Sequence, residues 1–228
     1  MNTRGLLDQL LKSGQQLLEK QGGGNKPGGA SSGLGGLLSG AGGGLLGGGA
    51  LGVLLGSKKA RKYGGKALTY GGLAALGVLA YKAYGNWQAN QRMAAAEPQT
   101  VDRLPPAQAE QHSQAVLRAL VAAAKPDGHI DERERALIEG EFTRLDSDRQ
   151  LQHWLHAELN KPLDPAEVAR AAQTPEMAAE MYLASVMMVD QENFMERAYL
   201  DELARQLRLD PGLRQELESQ VRVAAGQL

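Results

Sequence analysis

The residues best suited to chemistry in this chain form a short acidic turn, DGHIDERE, at residues 127–134. When the turn is aligned with an EF-hand calcium loop, its carboxylates Asp127, Asp131 and Glu134 fall at loop positions 5, 9 and 12. Positions 1 and 3, which supply carboxylates in an EF-hand, hold an alanine and a lysine here. The pattern therefore excludes a calcium site of EF-hand strength and predicts at most a weakly bound divalent cation on these three residues.

A second interpretation of the same turn needs no ligand. Gly128 permits a tight turn, Ile130 is an apolar plug for the core, and Asp131 stands where it would cap the next helix. The acidic residues that follow complement the positive end of a helix dipole. Both interpretations are open at the level of sequence.

Other chemical motifs are sparse. His153 and His156 lie three residues apart, a spacing that can chelate zinc on a helix, but no third ligand is nearby in sequence, which favours an exposed pair. The chain has no cysteine, so disulfides, thiol catalysis and cysteine metal sites are excluded. Nucleophile-elbow, P-loop and zinc-protease motifs are missing as well. We therefore expect no enzyme activity and no resident cofactor.

The elements that position these residues are predicted to be helices alone, which makes the fold class all-α. Apolar spacing and Pro/Asp punctuation predict helices at about 107–124, 131–145, 147–160, 165–172, 175–190, 194–208 and 211–225. Asp131, Asp164 and Asp210 are the predicted N-caps. The predicted core comprises Val116, Leu117, Leu120, Val121, Leu137, Ile138, Phe142, Trp154, Leu155, Tyr182, Val186, Met187, Phe194, Tyr199, Leu200 and Leu203.

An uncharged, glycine-rich stretch dominates the N-terminal half. Residues 34–56 include eleven glycines and eight leucines, and the length suits a helix that crosses the roughly 20-residue hydrocarbon core. Glycines recur every fourth residue, a face that lets helices approach closely and supports a homo-oligomer or a hairpin. These are Gly36, Gly40, Gly44, Gly48, Gly52 and Gly56. The alternative interpretation is a disordered glycine-rich tether.

A basic cluster, Lys58, Lys59, Arg61 and Lys62, follows the stretch and suits anionic lipid headgroups on the cytoplasmic side. A second apolar segment at 63–84 would either cross the membrane or form half of a hairpin. One crossing puts the C-terminal half inside the cell, and two put it outside. The sequence leaves the number of crossings open.

The two halves of the chain carry opposite charge. Residues 1–92 have a net charge of +9 and residues 101–228 a net charge of −9. The basic residues flank apolar segments without interleaved aromatics, which favours a membrane partner over nucleic acid. Residues 3–20 form an amphipathic helix that lies on the bilayer or packs on the protein. The predicted organisation is an N-terminal helix and linker at 1–33, membrane segments at 34–85, a linker at 86–106 and a helical domain at 107–228.

Three stretches carry a resemblance to a known family: LVAAAKPDGHIDERERALI, the KPLDP turn, and MVDQENFMERAYLDELARQL. They resemble the YebE-type inner-membrane family, whose C-terminal region belongs to the tellurite-resistance TerB-like superfamily. The resemblance implies an all-α TerB-like bundle on an anchor in the bacterial inner membrane. It also implies a link to metal or stress response, with Asp127, Asp131 and Glu134 matching the family's suspected metal-binding acids.

The expected function is a membrane-anchored interaction or stress-sensing module whose helical domain binds a protein partner that the sequence does not identify. A cation-binding domain built on the acidic turn is the alternative. An enzyme of unrecognised type is the least favoured interpretation, because no cluster of catalytic groups can be placed.

Overall fold

The computed structural model describes residues 3–8, 72–91, 97–125, 136, 139, 140, 143, 148–189 and 194–224. Within these ranges the secondary structure is helical with connecting turns and no strand, which confirms the all-α prediction. The helices are α1 (residues 3–8), α2 (Gly72–Asn90), α3 (Pro106–Ala123), α4 (Arg149–Asn160), α5 (Pro165–Ala169), α6 (Pro175–Met188), α7 (Phe194–Gln206) and α8 (Pro211–Ala224).

Short polar residues and prolines start several helices. The Asp164 side chain accepts from the Ala166 N–H at 2.9 Å, and Asp210 accepts from Gly212 at 2.8 Å, so both predicted caps are confirmed. Thr174 and Asp148 cap α6 and α4 in the same way, and neither was predicted. Each cap satisfies an amide that has no partner within the helix, which fixes where the helix begins.

Helix α6 is the centre of the bundle. It contacts α2, α3, α7 and α8, and all of its residues from 177 to 188 are buried. This sequence is apolar on every side, as a helix surrounded by others requires. Eleven predicted core residues are buried: Val116, Leu117, Leu120, Val121, Leu155, Tyr182, Val186, Met187, Tyr199, Leu200 and Leu203. Trp154 is partly buried against that core, and Leu137, Ile138 and Phe142 lie outside the described residues.

Phe194 was wrongly predicted to be in the core, because its side chain is 78% exposed. It begins α7, whose buried residues are Tyr199, Leu200, Leu203 and Ala204. At about 100° per residue, Phe194 lies roughly opposite Leu203 around the helix axis. Its apolar type suggested burial, and its angular position on the helix prevents it.

Helix α2 differs from its expected role as a membrane segment. It packs on α6 and α8, and its side chains Leu73, Leu76, Ala80 and Ala83 are at most 2% exposed. The apolar residues that predicted a membrane segment here complete the core of the helical domain. Among the helices of the described ranges, none combines the length and hydropathy needed to cross a membrane.

Candidate functional site

The contacts that hold α1 and α2 on the bundle form the most elaborate polar arrangement in the described chain, and we call them the N-terminal joint. At one end of the joint, the Trp87 indole N–H donates to Asp210 Oδ1 at 2.9 Å. One turn along α8, Asn86 Nδ2 donates to Glu216 Oε1 at 2.7 Å. The Trp87 hydrogen bond, followed by the amide of Gly212, lowers the pKa of Asp210. A single carboxylate thus starts α8 and holds α2.

Tyr182 secures α8 beneath this contact. Its hydroxyl donates to Glu218 Oε1 at 2.7 Å and accepts from Arg214 Nε at 2.9 Å. Burial raises the pKa of the Tyr182 hydroxyl, which therefore stays protonated as the donor. The network joins α6 to α8 and fixes the surface on which α2 lies.

The middle of the joint is a close approach between α2 and the segment at 97–105. The Asp102 side chain lies against Gly77, where an added Cβ would come within 3.0 Å of the Asp102 backbone nitrogen. Asp102 is itself oriented by the Thr100 hydroxyl, which donates to Asp102 Oδ1 at 2.6 Å. Only a glycine at position 77 leaves room for this contact.

A buried acid–base pair lies directly behind that segment. His112 Nδ1 on α3 and Glu180 Oε2 on α6 are 2.5 Å apart, with side chains 5% and 0% exposed. The second carboxylate oxygen, Glu180 Oε1, accepts from the Val101 N–H at 2.6 Å. Burial raises the pKa of Glu180, while the hydrogen bond from His112 opposes that rise. One carboxylate therefore links α3, α6 and the segment that contacts α2.

Helix α1 completes the joint at the start of α2. The Glu110 carboxylate of α3 accepts from the N–H groups of Thr3 and Arg4, at 2.7 and 3.1 Å. Asp8 Oδ1 accepts from the Leu73 N–H at 3.3 Å, so a carboxylate lies at the positive end of α2. Leu6 and Leu7 on α1 are buried. Of the two alternatives for the N-terminal helix, the described part follows packing on the protein.

A second polar cluster lies where the acidic turn leaves the bundle. Lys125, two residues before that turn, is buried and donates from Nζ to the backbone carbonyls of Glu158 and Lys161. The Glu158 carboxylate pairs with Arg118 at 3.1 Å and with Lys161 at 2.9 Å. The lysine also holds Glu167 at 2.8 Å and lowers its pKa. These groups surround a cavity of about 20 Å³, room for roughly one water.

An open polar groove of about 460 Å³ runs between the C-terminal part of α2 and α8. Its walls include Trp87, Asn90, Gln215 and Arg222. Ligand pockets of this size are mostly lined by apolar groups, so the lining resembles solvated surface.

The predicted site residues fall largely outside the described ranges. Three sets lie there: the acids Asp127, Asp131 and Glu134; the glycines Gly36, Gly40, Gly44, Gly48, Gly52 and Gly56; and the basic residues Lys58, Lys59, Arg61 and Lys62. His153 and His156 are both exposed, and His156 Nδ1 is 2.7 Å from Glu139 Oε1. Within the described ranges, no three His, Asp or Glu side chains form a metal-binding group.

Sequence reasoning missed the N-terminal joint. One signal was present in Glu180, a carboxylate inside the apolar run PEMAAEMYLASVMM, because an acid in such a run requires a buried partner. Gly77 was a second signal, since a glycine inside a helix often marks a close approach. The partners His112, Val101 and Asp102 are distant in sequence and could not be paired without the fold.

The comparisons with known proteins agree on a family without an assigned activity. Residues 40–221 match the family described as "Protein of unknown function (DUF533)". The chain is 35% identical over 126 residues to the "Uncharacterized protein in ampR 5'region" of Yersinia enterocolitica, covering 55% of this chain and 89% of that protein. No solved structure matches the chain. The family match spans well over half of the sequence, so this chain belongs to the DUF533 family of proteins of unknown function.

Proposed function

We propose that this protein is a membrane-anchored interaction or stress-sensing module of the bacterial inner membrane, with a TerB-like helical domain of the YebE type. The observation that carries the proposal is the docking of α2 on the bundle. Only residues 63–71 separate the basic cluster from α2, and nine extended residues reach about 30 Å. A basic cluster on lipid headgroups would therefore hold the domain close to the bilayer.

The division of charge supports this arrangement. The basic residues next to the apolar stretch are attracted to anionic lipid by about 1 kcal/mol each. The acidic domain is not drawn to that surface itself, so its carboxylates remain available to a partner. We propose that the partner is a protein with a basic surface, because charge complementarity favours encounter with such a surface.

Membrane attachment is tested by fractionating cells that express the full chain. We expect the protein in the membrane pellet after a high-salt wash, because an apolar stretch inserted in the bilayer is insensitive to salt. A variant lacking residues 34–56 should wash off, since it retains only screened electrostatic contacts. Recovery of the full chain in the soluble fraction would disprove the proposal.

Association through the glycine faces is tested by the paired change Gly44→Leu and Gly48→Leu. Two leucines on the packing face would keep neighbouring helices apart, so the yield of crosslinked oligomer should fall. The change Leu45→Ala and Leu46→Ala in the same stretch controls for altered insertion. An unchanged yield in the glycine variant would contradict this part of the proposal.

Cation binding by the acidic turn is the second candidate function. It is favoured by Lys125, whose buried ammonium fixes the chain two residues before the turn and so limits where the carboxylates can lie. A rise in melting temperature with Ca²⁺, Mn²⁺ or Zn²⁺ that disappears in Asp127→Ala would support it. A melting temperature unaffected by all three ions would eliminate it.

A further inference from the structure

The chain leaves the helical domain and returns to it at a single point. Helix α1 is docked through Glu110 and the buried leucines Leu6 and Leu7. Its last described residue, Asp8, is hydrogen-bonded to Leu73 in the first turn of α2 at 3.3 Å. The 63 residues from 9 to 71, which include the glycine-rich stretch, therefore start and end at the same place on the domain.

This geometry restricts how those residues can meet a membrane. A segment whose two ends lie on one side of a bilayer crosses it an even number of times. Two helical crossings need about 40 apolar residues, and the uncharged run between Lys26 and Lys58 has 31. The residues that would supply a second crossing, from Gly72 onward, form α2 and are packed in the domain. A complete crossing is therefore excluded while both helices are docked.

The charges on the two sides of the stretch support the same conclusion independently. Lys12, Lys20 and Lys26 precede it with one acid, Glu19. Five basic residues and no acid follow it between residues 57 and 71, at Lys58, Lys59, Arg61, Lys62 and Lys66. A single crossing is typically marked by an excess of basic residues on the cytoplasmic side alone. Here both flanks are basic, as expected if both face the cytoplasm.

We infer that the glycine-rich stretch enters and leaves the membrane from its cytoplasmic face, and that the end of the domain marked by Asp8 and Leu73 faces the bilayer. The inference rests on the proposed membrane attachment. Eleven glycines in 23 residues lower the propensity for one continuous helix, which suits a stretch that turns back. Irregular backbone inside a membrane must be covered by protein, and close packing at glycine faces provides such cover.

The chain has no cysteine, so single introduced thiols report which side of the membrane they occupy. We would introduce Ser32→Cys before the stretch, Ser57→Cys after it, and Gln111→Cys on the exposed face of α3 as a marker for the domain. Each full-length variant is treated with a membrane-impermeant maleimide in intact spheroplasts and in inside-out vesicles. We expect all three to be labelled in inside-out vesicles and to lose labelling in spheroplasts.

The other outcomes separate the inference from the proposed function. Labelling of Ser32→Cys and Ser57→Cys from opposite faces would demonstrate one crossing and overturn the inference, while membrane attachment stands. Labelling of all three thiols in spheroplasts would retain entry and exit from one face but overturn its cytoplasmic side. Recovery of the variants in the soluble fraction would overturn both proposals.

Discussion

At the scale of single residues, Glu180 is the most heavily constrained side chain of the joint. Its carboxylate contacts His112 and the Val101 amide with no exposure to solvent. Burial raises its pKa, so the folded protein binds this proton more tightly than the unfolded chain does. The stabilisation is fully present below the unfolded pKa, near 4.5, and is lost as pH rises through the raised pKa of the folded state.

The change Glu180→Gln should remove this pH dependence, because glutamine keeps an acceptor for Val101 and a partner for His112 without a charge. We expect wild type to lose stability relative to the variant as pH rises above about 4.5. The loss should be about 1.4 kcal/mol for each unit by which the pKa is raised. Chemical denaturation of both proteins from pH 4 to 9 measures it. Glu176→Gln, one turn earlier on α6, is the control, and equal slopes for both variants would refute the prediction.

Gly77 and Gly85 form a matched pair on α2. A methyl group at Gly77 would collide with Asp102, whereas nothing lies within 4 Å of a Cβ added at Gly85. We expect Gly77→Ala to destabilise the domain by about 1–3 kcal/mol through overpacking. Gly85→Ala should stabilise it by roughly 0.5–1 kcal/mol, because alanine is the better helix former. Denaturant midpoints of the two variants give the answer, and equal effects would mean that α2 is not docked at Gly77.

At the scale of elements, the sequence predicted most helix bounds of the C-terminal domain to within a few residues. Proline after a capping residue marked the starts of α5, α6 and α8 closely, since that pair leaves little freedom in where a helix begins. The role of α2 could not be predicted in the same way. Its run ALTYGGLAALGVLAY has the composition of a membrane segment and of a buried helix alike, and only its partners distinguish the two.

The contact between α2 and α8 can be measured by a double-mutant cycle on Trp87→Phe and Asp210→Ala. Their hydrogen bond is direct, so the two changes should be non-additive by about 0.5–1.5 kcal/mol in unfolding free energy. A parallel cycle with Trp154→Phe, on α4, and the same Asp210→Ala should be additive. Additivity in both cycles would show that the α2–α8 contact does not form in solution.

At the scale of the whole molecule, charge and hydropathy predicted a basic, apolar N-terminal half and an acidic helical half, but they placed the boundary between them too late in the chain. The structure assigns α1 and α2, which precede residue 91, to the same packed unit as α3 to α8. Composition averages over a segment, whereas docking is decided by a few contacts such as Asp8 with Leu73 and Trp87 with Asp210. The acidic turn and the glycine faces stay predictions.

The central claim is that α2 is part of the helical domain when the protein is attached to its membrane. The most direct measurement is thiol crosslinking in isolated membranes of the full-length variant Asn86→Cys with Glu216→Cys, two positions whose native side chains are 2.7 Å apart. A short bifunctional maleimide should join them efficiently. Val78→Cys with Glu216→Cys is the control, since Val78 lies about 12 Å away from Asn86 along the helix and should give little product. Equal, low yields from both pairs would contradict the claim and return α2 to the membrane.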